Sequence, residues 1–124
     1  MLPRNSERSY DMNSISLSQE AINELINGLL LIMKNNLAAI VLYGSVARGT
    51  DSAESDVDVA VLLKQSLSSE QEDGLCELMV NLNLKYDRVF SIVDIEEQMY
   101  EQWKEVVPFY KNLSKEGNKL WTAA

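Results

Sequence analysis

A chain of 124 residues, 46% of them hydrophobic and 24% charged, suits one compact domain with a real core and argues against global disorder. The absence of histidine excludes Ser-His-Asp and Cys-His nucleophiles, histidine metal ligands and a histidine base, and the lone Cys76 excludes an intramolecular disulfide or a thiolate zinc site. The missing histidine and lone cysteine leave carboxylates, with hard cations such as Mg2+ or Mn2+, as the main available chemistry, and a net charge of −8 opposes non-specific binding to nucleic-acid backbones.

Residues 1–15 lack the apolar stretch of a signal peptide and read as a mobile N-terminal arm before a single domain over 16–124. No apolar run approaches the length that spans a bilayer, so a reducing, cytoplasmic setting and no membrane partner are expected. The first helix is expected to start near Ser16, which has capping-box spacing to Gln19, and to run through Lys34. Ile22, Leu25, Ile26, Leu29, Leu30 and Met33 form its apolar stripe, and Asn35 and Asn36 close it. Leu37–Tyr43 is bounded by Asn-Asn and Gly-Ser and is too short for a typical helix, which favours a buried strand.

Residues 44–55 form a loop rich in Gly, Ser, Thr and Asp, with room for one helical turn. Asp56–Leu63 is the clearest strand, with Val57, Val59 and Val61 on one side and Asp56, Asp58 and Ala60 on the other. A second helix is expected from Ser69 to about Asn83, capped by Ser69 and Glu72, with Leu75, Leu78, Met79 and Leu82 inward and Cys76 as inert packing beside them. Gly74 weakens this helix. Tyr86–Ile95 reads as a third strand, followed by a short helix around Glu96–Glu105 and another that begins at Pro108 and exits at Gly117. This order gives an α/β (α+β) layer without internal repeats.

The chemistry concentrates in two places. Alternation along a strand sets Asp56 and Asp58 on one face about 7 Å apart, where two like charges in an apolar strand favour a divalent cation between them. Gly44 and Ser45 stand where the preceding strand ends; glycine admits a close backbone approach, a helical start aims N–H groups at an anion, and the hydroxyl can donate to phosphate. A lone Gly-Ser is usually a turn and a lone Asp-x-Asp often an edge-strand device, but strand, loop and strand bring the two together. Arg48 either contacts phosphate or pairs with Asp51 or Glu54 on the surface. Tyr86, Phe90, Trp103 and Phe109 read as core rather than base-stacking platforms.

Gly44-Ser45, ten intervening residues and then Asp56-Val57-Asp58 resemble the signature of the polymerase-beta-like nucleotidyltransferase superfamily. The stretch VLYGSVARGTDSAESDVDVAVLL is similar to its minimal nucleotidyltransferase (MNT) family, and the resemblance extends to about Gly117. It implies the polymerase-beta-like fold, a small mixed sheet of about three to four strands packed with helices. It also implies a Mg2+- or Mn2+-dependent transfer of a nucleotidyl group, AMP from ATP, to a hydroxyl. Asp56 and Asp58 would be the metal ligands, and Gly44, Ser45 and Arg48 the nucleotide contacts. A third carboxylate on a later strand is implied to complete the metal site and take the acceptor's proton. Asp87 is the favoured match and Asp94 the competitor, their opposite parity allowing only one to face the cleft. The family further implies a separate helical HEPN-type partner, a toxin silenced by adenylylation; whether the chain also forms a homo-oligomer is left open by the sequence. A stoichiometric, non-catalytic antitoxin or scaffold and an aminoglycoside-like small-molecule transferase are the alternatives.

Overall fold

A computed structural model describes residues 17–52 and 55–123. The arm at 1–15, the expected cap at Ser16 and the loop residue Glu54 lie outside the described residues. Helix α1 (Gln19–Met33) starts at a different cap from the expected one: Ser18 occupies the N-cap and its hydroxyl accepts from the Ala21 N–H. The serine next to the first helical residue is better placed to reach a free amide of the opening turn. Ala21, Leu25, Leu29 and Met33 form the buried stripe, and full burial of a leucine side chain is worth roughly 1.5–3 kcal/mol. Lys34 leaves the helix at φ 54°, and a 3-10 turn over Lys34–Asn36 leads into β1 (Leu37–Tyr43). Asn36 is buried and satisfied there: its amide donates to Gln65 O at 3.1 Å, and its Oδ1 accepts from Gln65 N at 2.8 Å.

The short helix α2 (Gly44–Arg48) follows β1 directly, and β2 (Val57–Leu63) returns antiparallel to it. Helix α3 (Ser69–Tyr86) is longer than its apolar stripe and starts one residue before the expected box. Ser68 is the cap and Gln71 completes the capping box. Its last turn is held from outside: Tyr86 Oη and Lys85 Nζ both donate to Glu24 Oε1 of α1, at 2.7 and 2.9 Å. Gly74 is where α3 approaches α1, since a Cβ there would lie 3.2 Å from the Ile32 side chain. Strand β3 (Phe90–Glu96) therefore begins four residues later than expected. Helices α4 (Glu97–Trp103) and α5 (Pro108–Glu116) follow, the latter with proline in its first turn. Strand β4 (Asn118–Thr122), absent from the sequence reading, pairs antiparallel with β1.

The sheet has four strands in the order β3-β2-β1-β4, with β2 and β3 parallel and the other pairs antiparallel. Its two faces bury different sets, as the alternation on β2 requires. Val57, Val59 and Val61 pack with Leu25, Leu29, Leu75 and Leu82 beneath α1 and α3. Ala60 and Leu62 pack with Val41, Ile95 and Leu113 on the face that carries α4 and α5. Phe90 is core and Tyr86 packs against it, but Trp103 and Phe109 are each 40% exposed, contrary to the core reading. Cys76 is exposed as well, because α3 turns it away from the stripe.

Candidate functional site

Antiparallel pairing of β1 and β2 brings the two motifs together. Tyr43, the last residue of β1, lies opposite Asp58, so Gly44 falls beside the start of β2. Gly44 has φ 77°, a conformation that side chains rarely adopt. A Cβ on Gly44 would penetrate Asp58 Oδ2 and lie 3.2 Å from its Cγ. The backbone of the Gly-Ser turn is thus seated against a carboxylate of the Asp-x-Asp pair. Gly44→Ala is expected to shift both and to lower activity by about 100-fold, the effect of roughly 1 Å of misplacement at a reacting centre. Steady-state rates for this variant, with retained folding by circular dichroism, check the result; wild-type rates would sink it.

Helix α2 has no side-chain cap, and its first-turn N–H groups have no partner within the helix. Ser45 lies in that turn, half-buried, and its carbonyl accepts from the Thr50 N–H at 3.0 Å, folding the loop back over α2. Burial raises the Asp58 carboxyl above the usual aspartate range; the nearby Asp56 raises it further, and Arg48 opposes both. Burial raises the Tyr43 phenol, with Asp58 adding to the effect. Asp56, just before β2, is exposed and Asp58 is half-buried. Arg48 lies near enough to act on Asp58 and forms a surface ion pair with Glu116 of α5 at 3.8 Å, while Asp51, one of the two acids the sequence offered it, pairs elsewhere.

Asp51 instead pairs with Arg88, a residue the sequence reading passed over. Arg88 Nη2 lies 3.5 Å from Asp51 Oδ2 and donates to Ser55 O at 2.9 Å, with side-chain exposures of 7% for Arg88 and 2% for Asp51. The turn between α3 and β3 therefore clamps the loop that delivers Asp56. An arginine two residues before an apolar strand was the only available signal. A cavity of about 150 Å3 adjoins the Gly-Ser turn, between Tyr43, Gly44 and Arg48 and the α5 residues Phe109, Asn112, Leu113 and Glu116. Phe109 meets Tyr43 edge-to-face, with ring centroids 5.4 Å apart.

Neither candidate for the third carboxylate shares a strand face with Asp58. Asp87 is the exposed C-cap of α3, with φ 52° and ψ 42°, and precedes β3 rather than belonging to it. The physical reason is the extension of α3 to Tyr86 under the hold of Glu24. Asp94 does lie on β3, but it is exposed and paired with Val61, whose side chain occupies the face opposite that of Asp58. Among the described residues, no three Asp, Glu, Cys or His side chains converge as a metal-holding group.

Comparison with known proteins agrees with the fold. The family model described as polymerase beta, nucleotidyltransferase matches residues 24–116. Two proteins of Methanocaldococcus jannaschii, named as candidate protein adenylyltransferases, are similar to the chain. One is 35% identical over 72 residues, covering 58% of this chain and 73% of the relative. The other is 29% identical over 106 residues, covering 83% and 97%. Among solved structures, a chain from a toxin–antitoxin crystal structure with AMP-PNP superimposes with a TM-score of 0.57 at 26% identity, over 82% of this chain and 73% of that one. A chain from the complex of a tri-AMPylated Shewanella oneidensis HEPN toxin with MNT antitoxin shares the fold, with a TM-score of 0.54 at 23% identity over 86% and 74%.

Proposed function

The chain belongs to the polymerase beta nucleotidyltransferase family, and from that premise we propose that it transfers AMP from ATP to a hydroxyl of a separate helical protein of the HEPN type, acting as its antitoxin. The observation that carries this reading is the Gly44 backbone seated against Asp58, because one cleft then offers an anion-binding turn beside a pair of carboxylates. The donor set suits a hard divalent cation. It consists of oxygen ligands, and burial, with the charge of Asp56 adding to it, raises the Asp58 carboxyl above its ordinary range. Asp56 and Asp58 would hold Mg2+ or Mn2+, which when bound neutralises the triphosphate.

The chain's own residues do the positioning. The Gly44-Ser45 turn receives phosphate oxygens, through N–H groups that lack helical partners and the Ser45 hydroxyl. Arg48, exposed at the end of α2, can leave Glu116 for a phosphate, since a surface ion pair at 3.8 Å is worth roughly 0–1 kcal/mol. In the reaction the acceptor oxygen bonds to the α-phosphorus, the bond to the bridging oxygen breaks, and pyrophosphate departs with the electron pair. Support for the acceptor comes from the similar structures, which are toxin–antitoxin pairs with AMP-PNP or an AMPylated toxin. A cytoplasmic setting belongs to the same proposal.

Incubation with labelled ATP, Mg2+ and a HEPN-type partner tests it, with Asp56→Ala/Asp58→Ala as the comparison. Label is expected on the partner with the native chain and is expected to vanish with the double variant. Label that persists would remove the two aspartates from the site. Full neutralisation of the toxin by the double variant, without any label, would favour a stoichiometric antitoxin.

A further inference from the structure

We propose that Ser91, rather than Asp87 or Asp94, occupies the third position of the metal-binding face, so that this site works with two carboxylates and a hydroxyl. The inference rests on the nucleotidyl-transfer reading and sharpens it. Strands β2 and β3 run parallel with Asp58 opposite Ser91. Partners on adjacent strands point to the same face and lie about 4.8 Å apart, nearer than any acidic residue of β3 can come.

The register that puts Ser91 there is pinned. Val57 N donates to Val89 O at 2.8 Å, and Phe90 N donates to Asn83 Oδ1 at 2.8 Å, tying the first residue of β3 to α3. Burial agrees along the strand. Phe90 and Ile92 pack with Val57 and Val59 under α1 and α3, whereas Val93 and Ile95 pack with Ala60 and Leu62 on the other face. A one-residue slip would exchange these sets, which the buried face forbids. By parity Ser91 lies on the face of Val93 and Ile95, which Asp58 shares with Ala60 and Leu62. Asp94 is three positions further along and on the first face, and Asp87 lies outside the strand.

The chemical consequence follows from what a hydroxyl can do. Serine offers a neutral oxygen; it adds no negative charge to balance a second cation and cannot act as a carboxylate base. Two cations about 3.5–4 Å apart, clamping the entering and leaving oxygens, would draw on more anionic charge than Asp56 and Asp58 supply. Among the described residues, the metal–nucleotide site then has no resident base for the acceptor. When the acceptor oxygen bonds to the α-phosphorus and pyrophosphate leaves, the hydroxyl proton passes to water or to a basic side chain of the acceptor protein.

Mn2+ titration in the presence of a non-hydrolysable ATP analogue, read by calorimetry or electron paramagnetic resonance, tests this on the full chain. Ser91→Asp is expected to tighten Mn2+ binding by about 10- to 100-fold through added ligand charge. It is also expected to unfold at a lower temperature without metal and to gain more from Mn2+ than the native chain. Asp87→Asn is expected to leave Mn2+ binding unchanged. Unchanged Mn2+ affinity in folded Ser91→Asp, or lost affinity in folded Asp87→Asn, overturns the proposal. Should Ser91→Asp not fold, Ser91→Ala removes the hydroxyl oxygen from the same position and is expected to weaken Mn2+ binding, and unchanged affinity in folded Ser91→Ala overturns the proposal equally. A native chain that binds no Mn2+–nucleotide would overturn the nucleotidyl-transfer reading as well, which separates the two failures.

Discussion

Asp58→Asn is expected to make the metal-free protein more stable at neutral pH while it lowers nucleotidyl transfer by about 1000-fold, corresponding to roughly 4 kcal/mol of lost transition-state stabilisation. The two effects share one cause. Asp58 is raised above the ordinary carboxylate range by burial and then by Asp56. Between its ordinary value and the raised one, the folded state binds more protons than the unfolded state, so stability falls as pH rises through that window. Above the raised value the cost remains in full until a cation or its substitute cancels it. Asparagine removes the charge and with it that pH dependence, but it is a much poorer ligand for a hard cation. Thermal unfolding with a chelator present, from roughly pH 4 to pH 8, should show a declining midpoint for the native chain and a flatter one for the variant. With Mg2+ and nucleotide, only the native chain should gain stability. A variant less stable than the native chain at neutral pH without metal would mean that the Asp58 charge is already compensated within the fold.

Arg88→Ala is the substitution expected to cost the fold most outside the hydrophobic core. It leaves the Asp51 carboxylate buried at 2% side-chain exposure without its guanidinium partner, and it removes the donor to Ser55 O. Breaking a buried pair from one side costs about 3–5 kcal/mol, because the remaining charge stays desolvated. On a total stability of about 5–15 kcal/mol this is a large fraction, and a midpoint fall of more than about 10 °C is expected. Arg88→Met/Asp51→Leu should recover much of the loss, since both charges of this buried pair are then removed together. Chemical denaturation of the single and double variants checks both expectations. A single-variant loss below about 1 kcal/mol would relegate the pair to a surface contact. The same variant should also reduce nucleotide binding, since the clamped loop leads directly into Asp56.

The motif at the centre of the site was legible because its geometry is local. Residues 37–43 are the expected buried strand, residues 57–63 are a strand whose side chains alternate between the two faces as expected, and the loop between them holds one helical turn. Period-two patterning and a glycine at a strand end depend only on near neighbours along the chain, so the sequence by itself was enough to place Gly44, Ser45, Asp56 and Asp58 on this strand–loop–strand unit. The third position was not legible in this way. Where α3 ends is decided by Glu24, about sixty residues away, which holds Lys85 and Tyr86; the short strand β4 likewise depends on pairing with β1. Tertiary contacts moved the start of β3 from Tyr86 to Phe90, left Asp87 as a helix cap, and set Ser91 beside Asp58. Propensity and periodicity are weak where a partner across the fold fixes an element's end, and strand parity turns a small boundary error into the wrong face. The sequence therefore determined the Gly-Ser turn and the Asp-x-Asp pair, and only the tertiary structure decided which residue stands third beside them.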